Sequence, residues 1–130
     1  MNTILASGLA LTINNPHEVL SMGGPFIGEL SIGTNFISED CLVDNYVFKE
    51  YSNLLFFIKY HRINLYQYFT INFYNPDTLT VYEFDKEFDM VYLGNFRTKN
   101  ELEIYHAFHD KFPDSQHIFN LDTEIFSPVK

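Results

Sequence analysis

Apolar residues recur every second position over much of this chain, and turn-forming residues separate the runs. Phe26 to Ile32 alternates, with Phe26, Gly28, Leu30 and Ile32 on one side and Ile27, Glu29 and Ser31 on the other. A period of two reads as a strand, and Gly33-Thr34-Asn35 ends it. Cys41 to Phe48 reads as a weaker strand, polar at Asp44 and Asn45. Leu54 to Tyr60 is apolar at every position but Lys59, which suits a central strand covered on both faces. Tyr66 to Tyr74 alternates again, with Phe69, Ile71 and Phe73 against Thr70 and Asn72. Asn75-Pro76-Asp77-Thr78 is the strongest turn signal, because Pro76 presets one backbone angle and Asn75 can bond back to the turn. Leu79 to Phe84 then returns as the antiparallel partner, and Met90 to Phe96 adds another strand.

One segment reads differently. Thr98 with Glu101 three residues on forms a capping-box pattern, predicting a helix that starts near Lys99. Leu102, Tyr105, Ala107, Phe108 and Phe112 fall on or near one helical face, and Pro113 stops the run. His117 to Phe126 is expected to add a short strand or pack as an extended arm. The fold class predicted is therefore α+β: an antiparallel sheet of about five to seven strands with one helix in the C-terminal half. No repeat, low-complexity tract or linker divides the sequence, so residues 1–130 read as a single domain.

Composition sharpens this picture. Fourteen Phe and nine Tyr, with no Trp, favour strand over helix. Apolar residues at 46% suffice for a core, and a net charge of −9 argues against a protein that grips nucleic-acid phosphate directly. The single cysteine, Cys41, allows no internal disulfide and fits the reducing cytoplasm. Ile4 to Ile13 is apolar, but no Lys or Arg precedes it and Asn14-Asn15-Pro16 ends it after ten residues. It is too short for a membrane span and lacks a positive n-region, so a first strand or short helix is the expectation.

Candidate chemistry is sparse. Gly23-Gly24-Pro25-Phe26-Ile27-Gly28 runs into a strand without the lysine of a phosphate loop, and reads as a structural turn. Met22 stands just before Gly-Gly-Pro, where trypsin-like proteases place their nucleophile, and methionine cannot attack. His106 and His109 are spaced to share a helical face, with Asp110 and His117 as further donors, but a solvated face explains them as well. Cys41 has Glu39, Asp40 and Asp44 for neighbours, which disfavours a reactive thiolate. No catalytic set, metal site or cofactor is read from these residues.

Glu83, Asp85, Glu87 and Asp89 recur at every second residue, which in an extended chain projects all four to one side. Such a ridge is either a solubilising edge or a docking surface for a basic partner. Tyrosines scattered through the strands, Tyr82 beside the ridge among them, suit a protein interface.

Gly23-Gly24-Pro25-Phe26-Ile27-Gly28-Glu29-Leu30, the Leu54–Tyr60 strand, the Phe69–Phe84 hairpin and Met90-Val91-Tyr92-Leu93 together resemble small acidic immunity proteins of bacterial polymorphic-toxin and contact-dependent growth inhibition systems. The resemblance spans Gly23 to Phe96 and holds no diagnostic motif. It implies a non-catalytic inhibitor that occludes the active site of a cognate toxin domain, with a cationic nuclease the expected toxin. The expected docking residues are Glu83, Asp85, Glu87 and Asp89, helped by Tyr82 and by Glu39, Asp40 and Asp44. Two other readings stay open: a phage-encoded acidic inhibitor that mimics nucleic acid, and a small metal-dependent enzyme or ligand-binding domain using the His106/His109 face.

Overall fold

The computed structural model describes residues 2–4, 10–19, 25–49, 53–105 and 117–129. Strand follows strand along them: β1 (Asn2–Ile4), β2 (Ala10–Glu18), β3 (Phe26–Ile32), β4 (Asn35–Phe48), β5 (Leu55–Ile63), β6 (Tyr66–Asn75), β7 (Thr80–Phe84), β8 (Tyr92–Thr98), β9 (Glu101–Tyr105), β10 (His117–Asn120) and β11 (Phe126–Pro128). The pairings are antiparallel. The chain separates into two compact units, Met1–Asp44 and Asn45–Lys130, with the boundary inside β4.

The expected α+β class is corrected to all-β, since the described residues contain no helix. The helix predicted from Lys99 is instead a tight turn at Lys99–Asn100 followed by β9. Within β9 the alternation Glu-Leu-Glu-Ile-Tyr decides the outcome. Leu102 and Ile104 are both buried while their neighbours are half-exposed, and two positions two apart cannot share a helical face. β9 is also paired on both sides, with β8 and with β10, so its backbone groups are satisfied by the ladders. Residues 106–116, the remainder of the predicted helix, lie outside the described residues.

In the first unit β1, β2 and β3 pair in sequence with the start of β4. Leu11, Ile13, Ile27, Leu30, Ile37, Cys41 and Leu42 are buried. The ladders bulge where Asn15 (φ 52°) and Asp40 (φ 56°) adopt left-handed backbone, a conformation that Asn and Asp tolerate. Beside the first bulge β3 passes so close to β2 that a Cβ at Gly28 would lie 2.7 Å from the Asn14 carbonyl oxygen. Glycine is required there by proximity.

The second unit holds two sheets. β5, β6, β7 and β11 pair in that order, and β9 lies between β8 and β10 in the other. The Asn75 turn joins β6 to β7, and Asn75 Oδ1 accepts the Asp77 amide at 2.9 Å. Phe84 of β7 meets Phe119 of β10 edge-on at 4.9 Å, and Phe56 of β5 meets Phe96 of β8 at 5.4 Å, so aromatic rings fill the space between the sheets. Burying each such ring contributes about 1.5–3 kcal/mol, and a well-placed ring pair about 0.5–1.5 more. Asn45, a polar blemish in the sequence, acts as a surrogate strand residue: its side chain accepts the Leu93 amide and donates to the Leu93 carbonyl.

Candidate functional site

Register decides which residues share the second face of the β5–β6–β7 sheet. His61 lies opposite Tyr68, Lys59 opposite Thr70, and Asn72 opposite Glu83. On that face His61 Nε2 is 2.8 Å from Glu83 Oε2 and 3.0 Å from Thr70 Oγ1, and Thr70 Oγ1 donates to Glu83 Oε2 at 2.8 Å. Asn72 Nδ2 donates in turn to Thr70 Oγ1 and to the Thr70 carbonyl. Asn72 is fully buried, and its Oδ1 has no hydrogen-bond partner among the described residues. The His61 bond, with help from the Thr70 bond and the charge of Lys59, holds the Glu83 carboxyl below the usual carboxylate range, although burial pulls the other way.

This hydroxyl, histidine and carboxylate are not arranged as a nucleophile and its base. In such a relay the two ring nitrogens divide the work, one facing the hydroxyl and the other the carboxylate. Here a single nitrogen faces both, the Thr70 proton is committed to Glu83, and Thr70 is 3% exposed. The cluster therefore clamps three strands in register.

The acidic stretch after β7 does not continue as a straight ridge. Asn72 pairs with Glu83, whereas Phe69 pairs with Phe88, so five residue steps on one side meet three on the other. The surplus loops out at Asp85 to Glu87, where the Asp85 amide bonds the Ile125 carbonyl. Two reciprocal backbone bonds between Phe69 and Phe88 then return the chain to β6. That return brings Glu87 to Tyr66, whose hydroxyl donates to Glu87 Oε1 at 2.8 Å. Tyr66 stacks on Tyr68 at 5.2 Å and Tyr68 on His61 at 4.7 Å, the latter pair within 6° of parallel. The Glu87 bond is the first cause that raises the Tyr66 phenol above its ordinary value, with desolvation and the charges of Glu87 and Asp89 adding. Tyr68 is raised chiefly by desolvation, then by Glu87 and Glu83.

The expected docking residues thus separate. Glu83 and Glu87 come to one row of rings, and the charge of Asp89 adds to what raises the Tyr66 phenol. Asp85 is exposed in the loop. Tyr82 turns to the opposite face of the sheet, stacked on Phe73 at 4.9 Å and edge-on to Phe126 at 5.6 Å. Glu39 and Asp40 lie in β4 within the first unit, as does the backbone of Asp44. Cys41 is buried, its thiol directed at the Ser38 and Glu39 carbonyls.

Sequence reasoning assigned no role to His61 and saw Thr70 only as a polar position on β6. The available signal was Tyr66, Tyr68, Thr70 and Asn72, a polar period of two on a strand whose alternate positions are Phe and Ile. His106, His109 and Asp110 lie outside the described residues, as do Met22, Gly23 and Gly24. Among the described residues no group of three or more His, Cys, Asp and Glu side chains is placed to hold a metal ion. No helix among them is long and apolar enough to cross a membrane. Comparisons with protein families, curated proteins and solved structures find no match to this chain.

Proposed function

We propose that this chain is a non-catalytic binding protein of the immunity type, which docks on a cationic toxin domain and occludes its active site. The observation that carries this reading is the row of rings His61, Tyr68 and Tyr66 with Glu83 and Glu87 along it. Tyrosine anchors with flanking carboxylates favour a basic protein surface, because the rings supply contact area while the charges speed encounter. A net charge of −9 adds to the same steering field. A nuclease, which must itself present positive charge to nucleic acid, is the toxin class that best matches. A cytoplasmic site of action belongs to this reading, and the buried single thiol is compatible with it.

The test is to produce the chain together with the products of its neighbouring genes. One of them, toxic alone, is expected to be neutralised and to co-purify one to one, with an association rate that falls as salt rises. Neutralisation without a stable complex, or no neighbour whose toxicity is relieved, overturns the proposal.

A further inference from the structure

The β5–β6 hairpin turns its apolar side chains outward at the tip. Ile63 is 60% exposed, Leu65 89% and Tyr66 51%. A tight turn has no need of these residues, since Gly, Asn and Asp serve it better, and Asn64 (φ 55°) already supplies the left-handed position. An exposed tyrosine beside other exposed apolar side chains is the kind of residue that anchors binding surfaces. The tip is also braced. Arg62 Nε donates to the Asn64 carbonyl at 2.9 Å, and Tyr60 Oη donates to Gln67 Oε1 at 2.8 Å. A braced tip loses little conformational freedom when a partner arrives.

Ile63 and Tyr66 are directly opposed, so they lie on the same face as Tyr68 and His61 and extend the row of rings to its exposed end. The phenol that ends the row donates a hydrogen bond to the Glu87 carboxylate, which shifts electron density toward the ring, and a ring enriched in this way attracts a cation more strongly. Among the described residues, Arg62 is turned to the Asn64 carbonyl and Lys86 lies over the Phe88 ring at 5.7 Å. We infer that Tyr66, flanked by Ile63 and Glu87, is the seat for an arginine side chain of the cationic partner. This rests on the docking function proposed above and names its anchor. Arginine suits the seat better than lysine. Its planar, weakly hydrated guanidinium stacks on a ring and bonds a carboxylate edge-on at the same time, whereas an ammonium is a compact, strongly hydrated point charge with no face to stack.

The probes are hexa-arginine and hexa-lysine peptides, titrated by NMR into the wild-type chain and into Tyr66→Leu and Glu87→Gln. Tyr66 lies at the exposed end of the hairpin and Glu87 in the exposed loop after β7, and matching amide spectra elsewhere verify that each variant is folded. The expected result is that hexa-arginine binds about three- to tenfold more tightly than hexa-lysine, with shifts centred on residues 63–68 and 87. Tyr66→Leu, which keeps the apolar area and removes the ring, is expected to abolish that preference, and Glu87→Gln to reduce it. If both peptides bind equally, or the preference survives Tyr66→Leu, the arginine seat is wrong while docking on a basic surface stands. If neither peptide binds at low salt, the seat and the docking surface fail together.

Discussion

Glu83 is the carboxylate with the most structural work, and replacing it by glutamine isolates that work. Glu83→Gln keeps the shape and one acceptor oxygen but removes the charge that Oε2 presents to His61 and Thr70. A buried hydrogen bond to a charged group contributes about 1.5–3 kcal/mol, and a fully exposed ion pair about 0–1 kcal/mol. The His61 and Glu83 side chains are 21% and 32% exposed, and Thr70 is buried, so this cluster falls between those limits. The expected loss at pH 7 is about 1–2 kcal/mol, a fall in Tm of roughly 3–8 °C for a chain of this size. The sign of the pH dependence follows from the lowered carboxyl. A group whose folded pKa lies below its unfolded value stabilises fully above that unfolded value, near 4.5, and loses the contribution as pH falls through the folded pKa. Urea unfolding followed by far-UV circular dichroism, at several pH values from 7 to 3, measures both effects. Wild type should exceed the variant at pH 7, and the gap should close progressively below pH 4.5. Equal stability at pH 7, or a gap that persists undiminished at pH 3, refutes the clamp.

Two further outcomes follow from the same geometry. Gly28→Ala should destabilise the chain by about 1–3 kcal/mol, because the added methyl overpacks a backbone carbonyl and exceeds the small gain from a stiffer unfolded chain; a variant that melts at or above the wild-type temperature would show that β2 and β3 are not so close. Tyr66, followed by NMR of a labelled ring, should ionise above 10.0 in the wild type and at a lower pH in Glu87→Gln, since ionisation forfeits the bond to Glu87 and meets its charge; an unchanged midpoint would place Glu87 away from the phenol.

The sheet was legible where local pattern and long-range pairing agree. β3 has the boundaries that alternation predicts, Phe26 to Ile32, and the Asn75 turn forms the hairpin that its residues favour. The four apolar positions Leu55 to Ile58 are all buried, as a run without a polar face requires. The helix failed because one short motif has two physical meanings. Thr98-Lys99-Asn100-Glu101 can cap a helix, but Thr and Asn are equally at home in a tight turn between strands. Once Leu102 and Ile104 are read together, the period of two outweighs the capping pattern. Ile104 was the telling residue, being apolar at a position that the proposed helical face left out. Pairing with β8 through the Lys99–Asn100 turn and with β10 supplies the rest, and the β10 partner is recorded by no local motif.

The site was less legible for a different reason. Its members come from three strands and the loop after β7, and their meeting depends on register. Four carboxylates two residues apart look equivalent in an extended chain, yet the loop at Asp85 to Glu87 gives each a separate environment. Glu83 is bound to His61 across β6, a relation visible only once β5, β6 and β7 are known to be neighbours. Glu87 reaches Tyr66 only because Phe88 returns to pair with Phe69. This division changes how the proposed docking surface must be probed. Reversing Glu83 to Lys would set a cation beside His61 and Lys59, so weakened binding could reflect a loosened sheet. Glu87 is exposed and bonded to a single phenol, so its loss would report on the proposed recognition without loosening the sheet. The clamp at Glu83 and the seat at Tyr66 are joined through Tyr68, whose ring stacks on both His61 and Tyr66. These bonds and stacked rings hold the row in place across three strands, and a surface ordered in advance would lose less conformational freedom on meeting the proposed partner.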